Sequence, residues 1–287
     1  MRAGELYYKD IPEPVWVVSD LLIGGTANLL WGRQGIGKTF LMLDMALSVA
    51  RGVPFLNRAT TGGPVLYYCL EGGERPLRNR LHIYPDETID WNALPLDFKY
   101  NINLDSNEGW SDFIGGLRGR ALCVIDPILS VSFPGLKFND NDMVRELMRR
   151  LEQAAAETGC CIVLVHHRRK ISHAETQYPN DEVEDQSALG VVSWLALCST
   201  RMQLAADAKT GLKLRLRAYG KEILVQSVPL TKEGPWLRYE NPAHTSIEAV
   251  SGLEYTSWQC GLCRMTFNTP YTETDYIAHV ETHRPVV

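Results

Sequence analysis

ANLLWGRQGIGKTFLMLDMALSVA, residues 27–50, is the stretch whose reading decides the fold. Ala27 to Trp31 is a short apolar run of the kind that forms a buried strand. From Phe40 onward the chain is apolar nearly all round, with Asp44 as its only charge, which describes a helix packed against a sheet. Between strand and helix, Gly32, Arg33, Gln34, Gly35, Ile36, Gly37, Lys38 and Thr39 fit G-x-x-x-x-G-K-[ST] with no departure. The glycines let successive backbone N–H groups turn inward as an anion-binding nest. The helix that follows presents its positive N-terminal end to the same anion. Lys38 is then placed to reach the β- and γ-phosphates of ATP, and Thr39 to ligate Mg²⁺. A glycine-rich turn alone arises by chance; the flanking strand and buried helix single this one out.

Working outward, VLYYCL (65–70) and ALCVID (121–126) are further apolar strands, and each runs into a carboxylate, Glu71 and Asp126 respectively. CCIVLV (160–165) is a fourth. It follows a predicted helix with Val144, Leu147, Met148, Leu151 and Ala155 on one face, N-capped within Asn139 to Asp142 and ended by Gly159. Strands alternating with helices predict an α/β fold with a mostly parallel sheet covered on both faces. Three more strands are expected over 197–206, 211–218 and 223–228, with turns at Lys209-Thr210-Gly211 and Tyr219-Gly220. Residues 1–22 read as a lead-in on the domain surface, and 71–107 carry no clear pattern. The expected organisation is an ATPase domain over 1–240, a linker over 241–256 and a small module over 257–287.

Of the 287 residues, 45% are hydrophobic and 22% charged, and the net charge is −5. A broad duplex-coating face would make the chain basic, so any nucleic-acid contact must be local. The first residues lack an apolar signal segment and no run is long enough to span a bilayer, so a cytoplasmic location is expected. Cys69, Cys123, Cys160, Cys161 and Cys198 lie in apolar runs, where cysteine behaves as a small buried hydrophobe.

The two strand-end carboxylates suit different tasks. Asp126 stands at the C-terminal edge of the predicted sheet, where it can hold the water shell of Mg²⁺ opposite Thr39. Glu71 can polarise the water that attacks the γ-phosphate, with Glu74 as its rival.

GRQGIGKTFLMLDMALSVARGVPFL (32–56), VLYYCLEGGERPLRNRL (65–81), ALCVIDPILSV (121–131) and CIVLVHHRRK (161–170), in that order, resemble the RepA-like branch of RecA-fold P-loop ATPases. That branch includes ring-forming plasmid and phage replicative helicases, and the likeness covers residues 20–240. It implies a hexamer with ATP at subunit interfaces, Glu71 as catalytic base, and a histidine of the His166-His167 pair as a γ-phosphate or DNA sensor. Strand alternation sends the two histidines to opposite faces, and His167 is preferred. In the strictly alternating strand at 213–217, Lys213, Arg215 and Arg217 share a face. The resemblance implies that Arg217, just before Tyr219-Gly220, reaches the neighbouring subunit's ATP, with Arg215 as the alternative. Arg168, Arg169 and Lys170 are candidate contacts to single-stranded DNA in the ring channel. The function expected is an ATP-driven DNA helicase or translocase. Two alternatives share the fold: a recombination or single-strand annealing ATPase, and a regulatory ATPase that switches protein partners without DNA.

In the tail, Cys260-x2-Cys263 and His279-x3-His283 match a two-cysteine, two-histidine zinc finger of ββα type, with a longer spacer than usual between the pairs. Phe267 and Tyr276 suit its small core. Bound Zn²⁺ would supply folding energy that so few apolar residues cannot. The predicted finger helix, 272–282, carries Glu273, Asp275 and Glu281 and neither lysine nor arginine. Phosphate contacts need positive charge, so a protein partner is the expected target.

Overall fold

A computed structural model describes residues 2–133, 140–167, 194, 197–206, 214–240, 257–259 and 266–268. The chain divides into two compact units, Met1–Pro242 and Ala243–Val287. The first opens with helix α1 (Ala3–Tyr7), strands β1 (Trp16–Val18), β2 (Leu22–Ile23) and β3 (Ala27–Gly32), and helix α2 (Lys38–Arg51). β4 (Val65–Cys69), α3 (Glu74–His82), β5 (Leu96–Lys99), α4 (Asn107–Leu117) and β6 (Leu122–Asp126) follow. After a short 3-10 turn come α5 (Asn141–Thr158), β7 (Cys161–His167), β8 (Thr200–Ala206), β9 (Leu214–Gly220), β10 (Gln226–Glu233) and β11 (Trp236–Tyr239).

One sheet of nine strands organises this unit, in the order β11-β10-β9-β8-β3-β7-β6-β4-β5. The strands from β8 to β5 in that order run parallel, and β9, β10 and β11 are antiparallel. Every residue of β3, β4 and β6 is buried, as expected where helices cover both faces. On one face Leu41, Met42, Met45 and Val49 of α2 pack with Leu30, Tyr67, Val124 and Val163. On the other, Trp110 and Phe113 of α4 and Leu147, Met148 and Leu151 of α5 pack with Leu29, Trp31, Ile125 and Leu164. Each such side chain taken fully out of water contributes about 1.5–3 kcal/mol, so these two layers hold the sheet. Asn28, fully buried in β3, bonds both neighbouring strands: its Nδ2 donates to Ile162 O at 3.2 Å and its Oδ1 accepts from Thr200 N at 3.0 Å.

The helix ends follow their capping residues. Asp140 Oδ1 accepts from the backbone N–H groups of Asp142 and Met143 at 3.0 and 3.3 Å and starts α5. Gly159, left-handed at φ 73°, ends it with its N–H on Ala155 O.

Several expectations need correction. Residues 1–22 are more than a surface lead-in, because the β1–β2 hairpin buries Val17, Val18, Leu21 and Leu22 in the core. The unassigned stretch 71–107 contains α3 and the edge strand β5, and α4 begins at its end. The strand expected at 223–228 lies later, at Gln226–Glu233, and pairs with a further strand, β11. Leu197 is helical and β8 starts at Thr200, while Tyr219-Gly220 end β9 instead of forming a turn after it.

In the second unit, β12 (Ser257–Gln259) pairs antiparallel with β13 (Thr266–Asn268), Trp258 opposite Phe267. Cys260, Cys263, His279 and His283 lie outside the described residues, as do Arg168, Arg169 and Lys170.

Candidate functional site

The phosphate loop joins β3 to α2 at the C-terminal edge of the parallel strands. Its first glycine is fixed by close approach: a Cβ on Gly32 would stand 2.4 Å from Leu204 O of β8. Its last, Gly37, caps α2 at φ 115°, a conformation open to glycine and costly for other residues. No side chain caps α2, so its first-turn N–H groups keep the anion-binding capacity that ATP phosphates require.

Lys38 is buried, 4% exposed, and its Nζ donates to Gly32 O and Arg33 O, both at 2.9 Å. The lysine therefore ties the loop together as well as standing ready for phosphate. Burial lowers its pKa to about 8, against the opposing charges of Asp126 and then Glu71. Those two carboxylates are the ones predicted from the strand ends, and the fold gathers both around this amine. Glu74, the rival acid, starts α3 and acts on Tyr100 instead.

Asp126 ends β6, one strand over from the strand beside the loop, and lies opposite Cys69 in the β4–β6 pairing. It is 7% exposed, and Tyr67 Oη donates to its Oδ2 at 2.8 Å. Burial, and then the Asp126 charge, push the Tyr67 pKa well above the ordinary phenol value, so the tyrosine remains a donor. The other oxygen, Oδ1, leaves a carboxylate suited to a Mg²⁺ water shell together with the Thr39 hydroxyl. Sequence reasoning missed Tyr67. The signal existed in the pairing, since 67 and 126 fall on one face of adjacent strands, but pairing cannot be read from a single strand. Partners that orient a metal-binding carboxylate typically change metal affinity or activity about 10- to 100-fold. Tyr67→Phe is accordingly expected to shift the Mg²⁺ dependence of turnover about tenfold upward. An unchanged Mg²⁺ titration at saturating ATP would reduce Tyr67 to a packing residue.

The remaining candidates sit on strands flanking the loop. His166 is buried with its ring 5.4 Å from that of Trp194, on the α5 side of the sheet. His167, the last residue of β7, pairs in register with Gly32, the first residue of the loop. In β9, Leu214, Leu216 and Ala218 are buried on the α2 side, so Arg215 and Arg217 lie on the opposite face. Arg215 is exposed and its Nη1 donates to Ser227 Oγ at 3.4 Å, whereas Arg217 is half-buried opposite Gln203 and Ser227. Arg217 thus sits away from the helix of its own phosphate loop.

Residues 4–173 match the model of the AAA domain family. The chain belongs to that family. This AAA domain is a P-loop ATPase, with ATP as its nucleotide and Mg²⁺ as its metal. Two solved structures share its RecA-like fold. One is an isolated ATPase domain, with TM-score 0.54 and 14% identity over 75% of this chain and 85% of that one. The other is a DnaB-like replicative helicase studied with primase, with TM-score 0.53 and 14% identity over 75% of this chain and 57% of that one. The AAA domain thus spans less than two thirds of the second relative. Among the described residues no helix is long and apolar enough to cross a membrane.

Proposed function

We propose that this ATPase is the motor of a ring-forming DNA helicase or translocase of plasmid or phage type. The observation that carries the reading is the grouping of Lys38, Asp126 and Glu71 at one edge of a RecA-like sheet, the fold shared with the ATPase domain and the replicative helicase above. In this reading residues 32–39 bind the phosphates, Thr39 and Asp126 hold Mg²⁺, and Glu71 activates water. His167 senses the γ-phosphate or DNA, Arg217 completes the neighbour's site in a hexamer, and Arg168, Arg169 and Lys170 touch single-stranded DNA. The test is ATP turnover with and without single-stranded DNA, on protein of measured mass, followed by unwinding of a forked duplex. Turnover indifferent to DNA points to a regulatory ATPase; stimulation without unwinding points to an annealing or recombination ATPase.

Action in trans has its own signature. Arg217→Ala subunits mixed with Glu71→Gln subunits should regain part of the lost turnover, because one kind of mixed interface combines an intact Glu71 with an intact Arg217. Absence of rescue in subunits shown to co-assemble would place Arg217 outside the neighbour's site.

For the tail we read Cys260, Cys263, His279 and His283 as a tetrahedral Zn²⁺ site. The β12–β13 pair supports this, because Cys260 and Cys263 fall between its two strands in the sequence, as in a ββα finger. A chelator should release one zinc per chain and unfold residues 257–287 without melting the ATPase domain, as read by metal content and circular dichroism. Because the finger helix is acidic, truncation after Glu240 should leave DNA-stimulated turnover unchanged and remove a protein contact. A well-folded truncation that loses DNA affinity would make the finger the DNA anchor.

A further inference from the structure

Asp44 is the one acid on the apolar helix α2, and it is 5% exposed. A buried carboxylate without partners would cost several kcal/mol, on the order of the penalty for an uncompensated interior charge. Here it has two partners: Tyr84 Oη donates to Oδ1 at 2.8 Å, and Arg238 Nη1 stands 2.9 Å from Oδ2. Arg238 belongs to β11, the outermost strand of the sheet, which pairs with β10 alone. Its guanidinium also lies 5.7 Å from the centroid of the Tyr84 ring and 3.3 Å from Glu233.

The residues beside Arg238 hold the same helix nearer its start. Leu237, fully buried, has its Cδ1 3.5 Å from where a Cβ on Gly37 would stand. Trp236 meets Phe40 edge-to-face at 5.0 Å and Tyr84 at 4.8 Å, while its Nε1 donates to Ile83 O at 2.9 Å. Three consecutive residues of β11 thus grip α2 at its cap, its first turn and its second turn. Packing an edge strand onto a helix needs only apolar contact. An ion pair set into that packing adds a fixed angle and register, and α2 carries Lys38 and Thr39 at its tip.

We propose that Arg238 is a positioning residue for ATP hydrolysis, which through Asp44 locks α2, and with it the phosphate loop, against β11. The proposal rests on the ATPase reading of the same loop. Loss of the pair lets α2 shift by a fraction of an ångström, and a misplacement of about 1 Å far from the chemistry can cost up to about 100-fold in rate.

The test uses the full chain and compares kcat, KM for ATP and Tm in wild type, Arg238→Met, Arg238→Lys and the double variant Asp44→Asn/Arg238→Met. Arg238→Met should lower both Tm and kcat/KM, the latter about tenfold, because Asp44 is left buried without its cation. Arg238→Lys should recover most of the Tm and only part of kcat/KM, since the charge returns without the planar fork. The double variant removes the unpaired charge, so Tm should return towards wild type while kcat/KM stays about tenfold low. A double variant that recovers kcat/KM together with Tm makes the pair purely structural and overturns the proposal, as does an Arg238→Met chain with wild-type kcat/KM. Wild-type protein without ATP turnover, or Lys38→Ala protein as active as wild type, overturns the ATPase reading itself and the proposal with it.

Discussion

Lys38→Ala should reduce ATP turnover by at least about 10²–10³-fold, the usual scale for removing a group that stabilises charge in the transition state, while the chain still folds. The first half follows from position: the amine stands at the start of α2 with the Asp126 and Glu71 charges acting on it. The second half needs argument, because Lys38 also donates to Gly32 O and Arg33 O. Two such bonds from a charged donor stabilise by about 1.5–3 kcal/mol each. Against them stands the cost of burying the ammonium, which is what lowers its pKa to about 8. That cost is fully present below about pH 8 and is relieved as pH rises towards 10.5, where an unfolded lysine would also lose its proton. Alanine removes the bonds and the cost together, so Tm should move little. The same pKa makes ATP binding by the wild-type chain weaken above about pH 8, by up to tenfold per pH unit, whereas Lys38→Ala should bind with no such dependence. A folded Lys38→Ala chain that keeps most of its turnover would sink the phosphate-loop assignment.

Glu71→Gln should bind Mg²⁺-ATP as wild type does and hydrolyse it about 10²–10⁴-fold more slowly, the range for losing a general base. The substitution keeps size and polarity and removes only the basicity that activates water. Glu71 is exposed at the end of β4, beyond Cys69, so it carries no core packing that the change could disturb. Glu74→Gln is the control. Its charge acts on Tyr100 and not on Lys38, so its turnover should stay near wild type. Binding of a non-hydrolysable analogue and single-turnover hydrolysis separate the two effects. A larger loss in Glu74→Gln would move the base from β4 to the start of α3.

What could be read from the sequence was what burial writes into it. β3, β4, β6 and β7 are continuous apolar runs because both faces are covered, and α2 is apolar all round for the same reason. Glu71, Asp126 and Lys38 stand out because each interrupts or ends such a run. The missed elements lack that imprint. α3 buries only Leu77, so it shows no periodic apolar face. β5 is a four-residue edge strand with no fully buried residue. β10 contains Pro229, which cannot donate to a ladder and read as a stop after Val228. Tyr67 and Arg238 stayed hidden for another reason: each acts through a residue distant along the chain that only the folded sheet brings near. The lone acid in α2 announced that some partner must exist, and nothing local could say which.

The same uniform burial leaves a sheet with no apolar preference between its faces. Sliding β3 by one residue against its neighbours would exchange one buried surface for another and lose little by that measure. Asn28 removes the degeneracy. Its amide meets the carbonyl of Ile162 on one side and the N–H of Thr200 on the other, and a slid strand would bury both ends unmatched. One polar residue in the middle of the sheet therefore acts as a key in its slot, and the height at which the loop after β3 emerges is a discrete setting, not a continuous one.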